Sequence, residues 1–151
     1  MIVIVYVSAT GNTEALAGMI KQEAEASGEE VCLMPAPRLD TALLKKASVL
    51  FAGTYSWGQG EMPDAALEMA EELSTCGMSP QAAGCFGTGD TFYPHFCGGV
   101  DELKASLPPS FPDGPVLKVE LLPQPSDRKK CRRFVEQVLN QKECMASGEN
   151  G

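Results

Sequence analysis

The sequence predicts one α/β domain, a doubly wound sheet of five parallel strands in the order 2-1-3-4-5 with helices on both faces. Three observations carry that expectation. Short apolar runs recur along the 151 residues: Ile2–Val7, Ser48–Thr54 and Gln81–Phe86 are the clearest. Segments with apolar residues at helical spacing separate them, as parallel strands joined by helical crossovers require. Hydroxyl- and glycine-rich turns follow the first, third and fourth runs. Right-handed crossovers leave few topologies, and in this order the switch point falls between strands 1 and 3.

Taken in order, Ile2–Val7 is a buried strand and Ser8–Glu14 the turn into a helix with Leu16, Met19, Ile20 and Ala24 on one face. Gly28 reads as that helix's stop. Val31–Met34 is a second strand, ended by Pro35 and Pro37, and Leu39–Lys46 a short helix. Ser48–Thr54 is the third strand. It enters a loop, Tyr55 to Met62, before Pro63 opens a helix with Leu67, Ala70 and Leu73 inward. Gln81–Phe86 is the fourth strand, followed by a loop from Gly87 to His95. A helix is expected near Phe96–Ser106, then a Pro-rich turn, then an edge strand over Val116–Leu122. Ser126 is placed to cap a last helix carrying Phe134, Val135, Val138 and Leu139. One domain over residues 1–142 is expected, with 143–151 a loose tail.

Composition excludes several functions. The formal charge is −8, and no Lys or Arg lies between Lys46 and Lys104, an interval holding Glu61, Asp64, Glu68, Glu71, Glu72, Asp90, Asp101 and Glu102. Such a surface suits neither nucleic acid nor an anionic membrane. No run approaches the roughly 18 apolar residues of a membrane span. Met1–Ala9 lacks the basic start of a signal peptide, so a cytoplasmic protein is expected. The six cysteines form no C-x-x-C pair, and with one His in the chain no zinc or haem site is expected.

The stretch Ser8-Ala9-Thr10-Gly11-Asn12-Thr13 joins a strand to a helix start, where unpaired amides and the helix dipole favour an anion. Hydroxyls of Ser8, Thr10 and Thr13 and the Asn12 amide add donors, and Gly11 permits close approach. The loop has no Lys or Arg and matches neither G-x-x-x-x-G-K-[ST] nor G-x-G-x-x-G. The same residues also make an ordinary helix cap, so the turn alone leaves both readings open. Trp57, the only Trp, and Tyr93 each lie among glycines. They are either surface aromatics or plates for a flat aromatic ligand.

Ser8-x-Thr10-Gly11-Asn12-Thr13-Glu14 after a first strand resembles the phosphate loop of flavodoxins, which bind flavin mononucleotide (FMN). Gly53-Thr54-Tyr55-Ser56-Trp57-Gly58 resembles the loop in which an aromatic covers one flavin face. Phe86-Gly87-Thr88-Gly89-Asp90-x-x-Tyr93-x-x-Phe96-Cys97 resembles the loop in which a Tyr covers the other. The strand order 2-1-3-4-5 is that of the flavodoxin fold, so it belongs to the resemblance. The fifth strand carries no long insertion, as in short-chain members. The resemblance implies that Ser8, Ala9, Thr10, Gly11, Asn12 and Thr13 hold the phosphate. It implies that Thr54, Tyr55, Ser56, Trp57, Gly58, Gly87, Thr88, Gly89, Asp90, Tyr93, Phe96 and Cys97 surround the ring. Trp57 and Tyr93 would flank it, and backbone near Ser56, Asp90 and Cys97 would bind its pyrimidine edge. Gly58 would turn its carbonyl toward the protonated flavin N5, a reorientation that is cheap at Gly. Gln59, where many flavodoxins have an acid, is a departure. His95 has no assigned role.

The function so implied is a low-potential one-electron carrier without catalytic residues. Its partners would be basic-surfaced redox proteins: an NAD(P)H-dependent flavodoxin or ferredoxin reductase and acceptor enzymes. A monomer is expected. The competing reading is an NAD(P)H-dependent flavin or quinone reductase on the same fold, which needs an open flavin face. A third, a flavodoxin-like activator of ribonucleotide reductase, resembles the chain less. The basic run Arg128, Lys129, Lys130, Arg132, Arg133 is either a solvated helix face or a second docking patch.

Overall fold

A computed structural model provides the fold and describes residues 1–57, 60–92 and 95–148. Five strands, β1 (Ile2–Tyr6), β2 (Val31–Pro35), β3 (Val49–Tyr55), β4 (Ala82–Gly89) and β5 (Val116–Glu120), form one parallel sheet ordered β2-β1-β3-β4-β5. Helices α1 (Asn12–Glu25), α2 (Thr41–Lys46), α3 (Asp64–Thr75), α4 (Gly98–Ser106) and α5 (Arg128–Gly148) alternate with them. The sheet order and the two-sided helical cover agree with the expectation from sequence.

The central strands are buried on both sides because successive side chains point to opposite faces. Val3, Val5, Leu50, Ala52 and Cys85 meet Leu44 of α2, Met69 and Leu73 of α3, and Val100 and Leu103 of α4. Ile2, Ile4, Phe51, Phe86 and Val119 meet Leu16 and Ile20 of α1 and Phe134, Val135 and Val138 of α5. Each such Leu, Ile or Phe contributes about 1.5–3 kcal/mol by leaving water. The Phe51 and Phe134 rings, 5.4 Å apart and tilted by 56°, tie the sheet to α5.

Four details differ from the sequence reading. β4 continues through Gly87, Thr88 and Gly89, which pair with Lys118, Val119 and Glu120. The glycines are there for close approach, since a Cβ on Gly87 would lie 2.2 Å from the Thr54 carbonyl oxygen. The cap before α5 is Gln124, whose side chain and that of Asp127 reciprocate bonds across a 3₁₀ turn at Pro125–Asp127; Ser126 lies inside that turn. The expected edge strand ends at Glu120: the Leu121 amide still makes the last ladder bond, to the Gly89 carbonyl at 2.8 Å, but its φ of 50° leaves the extended region. Finally, α5 runs past Gln141 to Gly148, where a loose tail had been expected.

Candidate functional site

The C-terminal ends of β1, β3 and β4 adjoin, and the loops leaving them meet. At the first, Ser8 is half-buried, Ala9 and Thr10 are exposed, and Gly11 takes a φ of 91° just before α1. The Ser8 hydroxyl oxygen accepts from the Gly11 amide at 3.2 Å and the Glu14 amide at 3.3 Å. Amides therefore converge around one oxygen at the positive end of the helix. Asn12 and Thr13 open α1, so their amides have no intrahelical acceptor. Glu14 is held to β1 by the Tyr6 hydroxyl at 3.4 Å, and burial together with that carboxylate raises the Tyr6 pKa.

Thr13 sits differently from the sequence reading. Its side chain is wholly buried, and its hydroxyl pairs with that of Thr88 at 2.8 Å, across 75 residues of chain. Two hydroxyls carry two protons and the pair uses one, so one remains for another acceptor. Thr13→Ala strands the buried Thr88 hydroxyl and should destabilise the fold by about 1–3 kcal/mol. Thr13→Ser, which keeps the bond, should cost much less. Equal losses for the two variants in denaturant unfolding would contradict this role.

Beyond β3, the Thr54 hydroxyl is buried and donates to its neighbour's carbonyl, on Tyr55, at 2.8 Å. Trp57 and Glu61 form a tight antiparallel bridge, with N–H···O distances of 3.0 and 2.8 Å, and the Trp57 side chain is 59% exposed at its base. Gly58 lies outside the described residues. Beyond β4, Asp90 makes a local turn by accepting the Phe92 amide at 2.9 Å. Tyr93 also lies outside the described residues. Phe96 is half-buried against the α3–α4 core. Cys97 is in the left-handed region with its thiol 3.9 and 3.8 Å from the Gly87 and Val119 carbonyls. Burial pushes that thiol up to about 11, so any contact Cys97 offers a ligand comes from its backbone.

The second and third loops interlock through glycines. A Cβ on Gly60 would lie 2.1 Å from the His95 carbonyl oxygen, and one on Gly98 would lie 2.4 Å from that of Gly60. The Ser56 hydroxyl accepts the Gly99 amide at 3.0 Å, and the Ser56 amide binds the Thr88 carbonyl at 3.1 Å. On the outer side lies a cavity of about 660 Å³ lined by Glu61, His95, Asp101, Glu102 and Lys118 among others. Lys118 is already paired with Asp101 at 2.6 Å, so the rim stays acidic. A second cavity of about 400 Å³, at the start of β4 under the Pro-rich turn, is lined by no residue of these loops.

Sequence reasoning missed Phe92, 86% exposed, and Leu121 and Leu122, about half exposed, which border the third loop. Thr91 bonds Glu120 at 2.6 Å and fixes them together. An aromatic beside the Tyr93 position was the available signal for Phe92; nothing local announces the leucines.

The family model described as Flavodoxin matches residues 4–134. The chain is 33% identical over 146 residues to the probable flavodoxin 2 of Bacillus subtilis, covering 95% of this chain and 97% of that one. Oxidised flavodoxin 2 from Bacillus cereus superposes with a TM-score of 0.81 at 31% identity, covering 93% of this chain and 98% of that one. A flavodoxin from Streptococcus pneumoniae does so with a TM-score of 0.80 at 28% identity, covering 93% and 98%.

Proposed function

This chain belongs to the flavodoxin family, and from that premise we propose that it is a low-potential one-electron carrier, shuttling electrons on non-covalently bound FMN between a reductase and acceptor enzymes. Flavodoxins are electron-transfer proteins, not enzymes, so membership makes this chain a flavin-binding electron carrier. The observation that carries the finer reading is the junction of a cation-free helix-start loop with an exposed Trp hairpin at the switch point between β1 and β3.

The donor set suits FMN. Amides and hydroxyls without a Lys or Arg hold a phosphate while leaving its charge in place, and the convergence on Ser8 Oγ supports such a role. Trp57 offers an exposed ring on the loop that leaves β3, the strand next to β1. On this reading Ser8 to Thr13 orient the phosphate, Trp57 and Tyr93 flank the ring, and backbone near Ser56, Asp90 and Cys97 binds its edge. Gly58, as the resemblance implies, would offer its carbonyl to the protonated flavin N5. When bound, FMN supplies reversible one-electron chemistry, and the chain holds, shields and orients it. Cofactor released from the purified protein should be FMN; FAD or riboflavin would overturn this assignment.

The partners we propose are basic-surfaced reductases and acceptor enzymes, met in the cytoplasm by a monomer. Among the described residues no helix is long and apolar enough to cross a membrane. Glu61, Asp64, Glu68, Glu71, Asp101 and Glu102 are exposed around the Trp hairpin and the starts of α3 and α4. A charged rim speeds encounter without building a tight interface. Reduction by a basic-surfaced reductase should therefore slow steeply with salt, as the Debye length falls to about 8 Å at 0.15 M. Charge reversal at Glu61 and Asp64 should slow association more than reversal at Glu30 and Glu143, both exposed and outside the acidic interval. Equal slowing in stopped-flow kinetics would show that total charge acts and that this face does not dock.

A further inference from the structure

α4 begins without a cap of its own. Cys97, at its N-cap position, is left-handed and makes no side-chain bond to the helix. Two bonds to the Trp57 hairpin stand in its place. The hairpin's leading arm supplies the Ser56 hydroxyl to the Gly99 amide at 3.0 Å. From the helix, the Glu102 carboxylate reaches back to the Met62 amide on the trailing arm at 3.3 Å. This is the reciprocity of a capping box, Ser to helix amide and Glu to loop amide, made between segments some 40 residues apart. Between the two bonds the backbones touch. A Cβ on Gly99 would meet the Ser56 hydroxyl at 2.8 Å and the Tyr55 carbonyl at 3.0 Å.

We propose that Ser56 and Glu102 are positioning residues that latch both arms of the Trp57 hairpin to α4, and that this latch governs how long the flavin is retained. Glu102 is thus more than one charge of the acidic rim. Neither side chain needs to touch the cofactor. They act by fixing the hairpin that carries Trp57, and the proposal rests on the reading of that hairpin as one wall of the flavin site. Glu102 is exposed, so its bond is in competition with water and its removal leaves the core intact.

The test is the rate of FMN release from the FMN-loaded protein, followed by the return of free-flavin fluorescence on dilution. Glu102→Ala removes charge and acceptor together and should speed release by up to about tenfold, the scale of one such hydrogen bond. Glu102→Gln removes the charge and keeps an acceptor, and should restore release to within about twofold of wild type. Ser56→Ala should speed release likewise, and combining it with Glu102→Ala should give less than the product of the two effects, because both loosen one hairpin. Unchanged thermal midpoints for the Glu102 variants separate loosening from unfolding. Equal acceleration by Gln and Ala would overturn the latch in favour of charge alone, as would no acceleration by either. A wild-type protein that carries no FMN would instead overturn the proposed cofactor.

Discussion

Replacing Gly60 by Ala should cost about 2–4 kcal/mol of stability and loosen FMN at the same time. Two independent penalties meet at this residue. Its φ of 106° is disfavoured for any side chain, and its Cβ would sit 2.1 Å from the His95 carbonyl oxygen, a contact relieved only by moving backbone. That carbonyl is itself bonded to the Gly98 amide at 3.0 Å, so displacement propagates to the start of α4. Two other glycines separate the contributions. Gly11→Ala carries a φ of 91° with open space around the Cβ, and should lose only the conformational part, about 1–2 kcal/mol. Gly18, inside α1 with nothing within 4 Å, should gain about 0.5–1 kcal/mol on becoming Ala. Denaturant unfolding of the three variants gives the comparison. A Gly60→Ala loss no larger than that of Gly11→Ala would mean the two loops are not interlocked.

FMN should bind at least 100-fold more tightly than riboflavin, which lacks the phosphate. Two or three hydrogen bonds to a charged group, at about 1.5–3 kcal/mol each, exceed the roughly 2.7 kcal/mol that such a ratio requires. The loop has no cation, so the preference must come from amides and hydroxyls at the α1 start. Titration of the flavin-free protein with both ligands measures it, and comparable affinities would remove the phosphate from this loop.

The fold was legible because its apolar runs are strands buried on both faces, and burial of that kind writes itself into local sequence. The segments after β1 and β3 were legible as turns from their hydroxyls and glycines, while the roles assigned to them came with the family resemblance. What escaped was non-local. Gly87 and Gly89 read as turn residues, yet both are in β4, where neighbouring backbone and Cys97 leave no room for a Cβ. Thr13 reads as a hydroxyl of the helix-start loop, and nothing near it in sequence announces that its side chain is buried against the Thr88 hydroxyl, 75 residues away. Glu102 looked like one of eight acids conferring charge, and only the fold shows its carboxylate at the Met62 amide. That α5 continues past Gln141 to Gly148 also escaped, because the residues from Lys142 to Gly148 carry no apolar repeat at helical spacing.

The central claim, a flavin carrier of single electrons, is tested most directly by a reductive titration of the FMN-loaded protein followed by absorbance. Reduction should proceed in two resolved one-electron steps, and NAD(P)H alone should not drive it without a reductase. Direct reduction by NAD(P)H in a single two-electron step would contradict the claim and favour a reductase on the same fold.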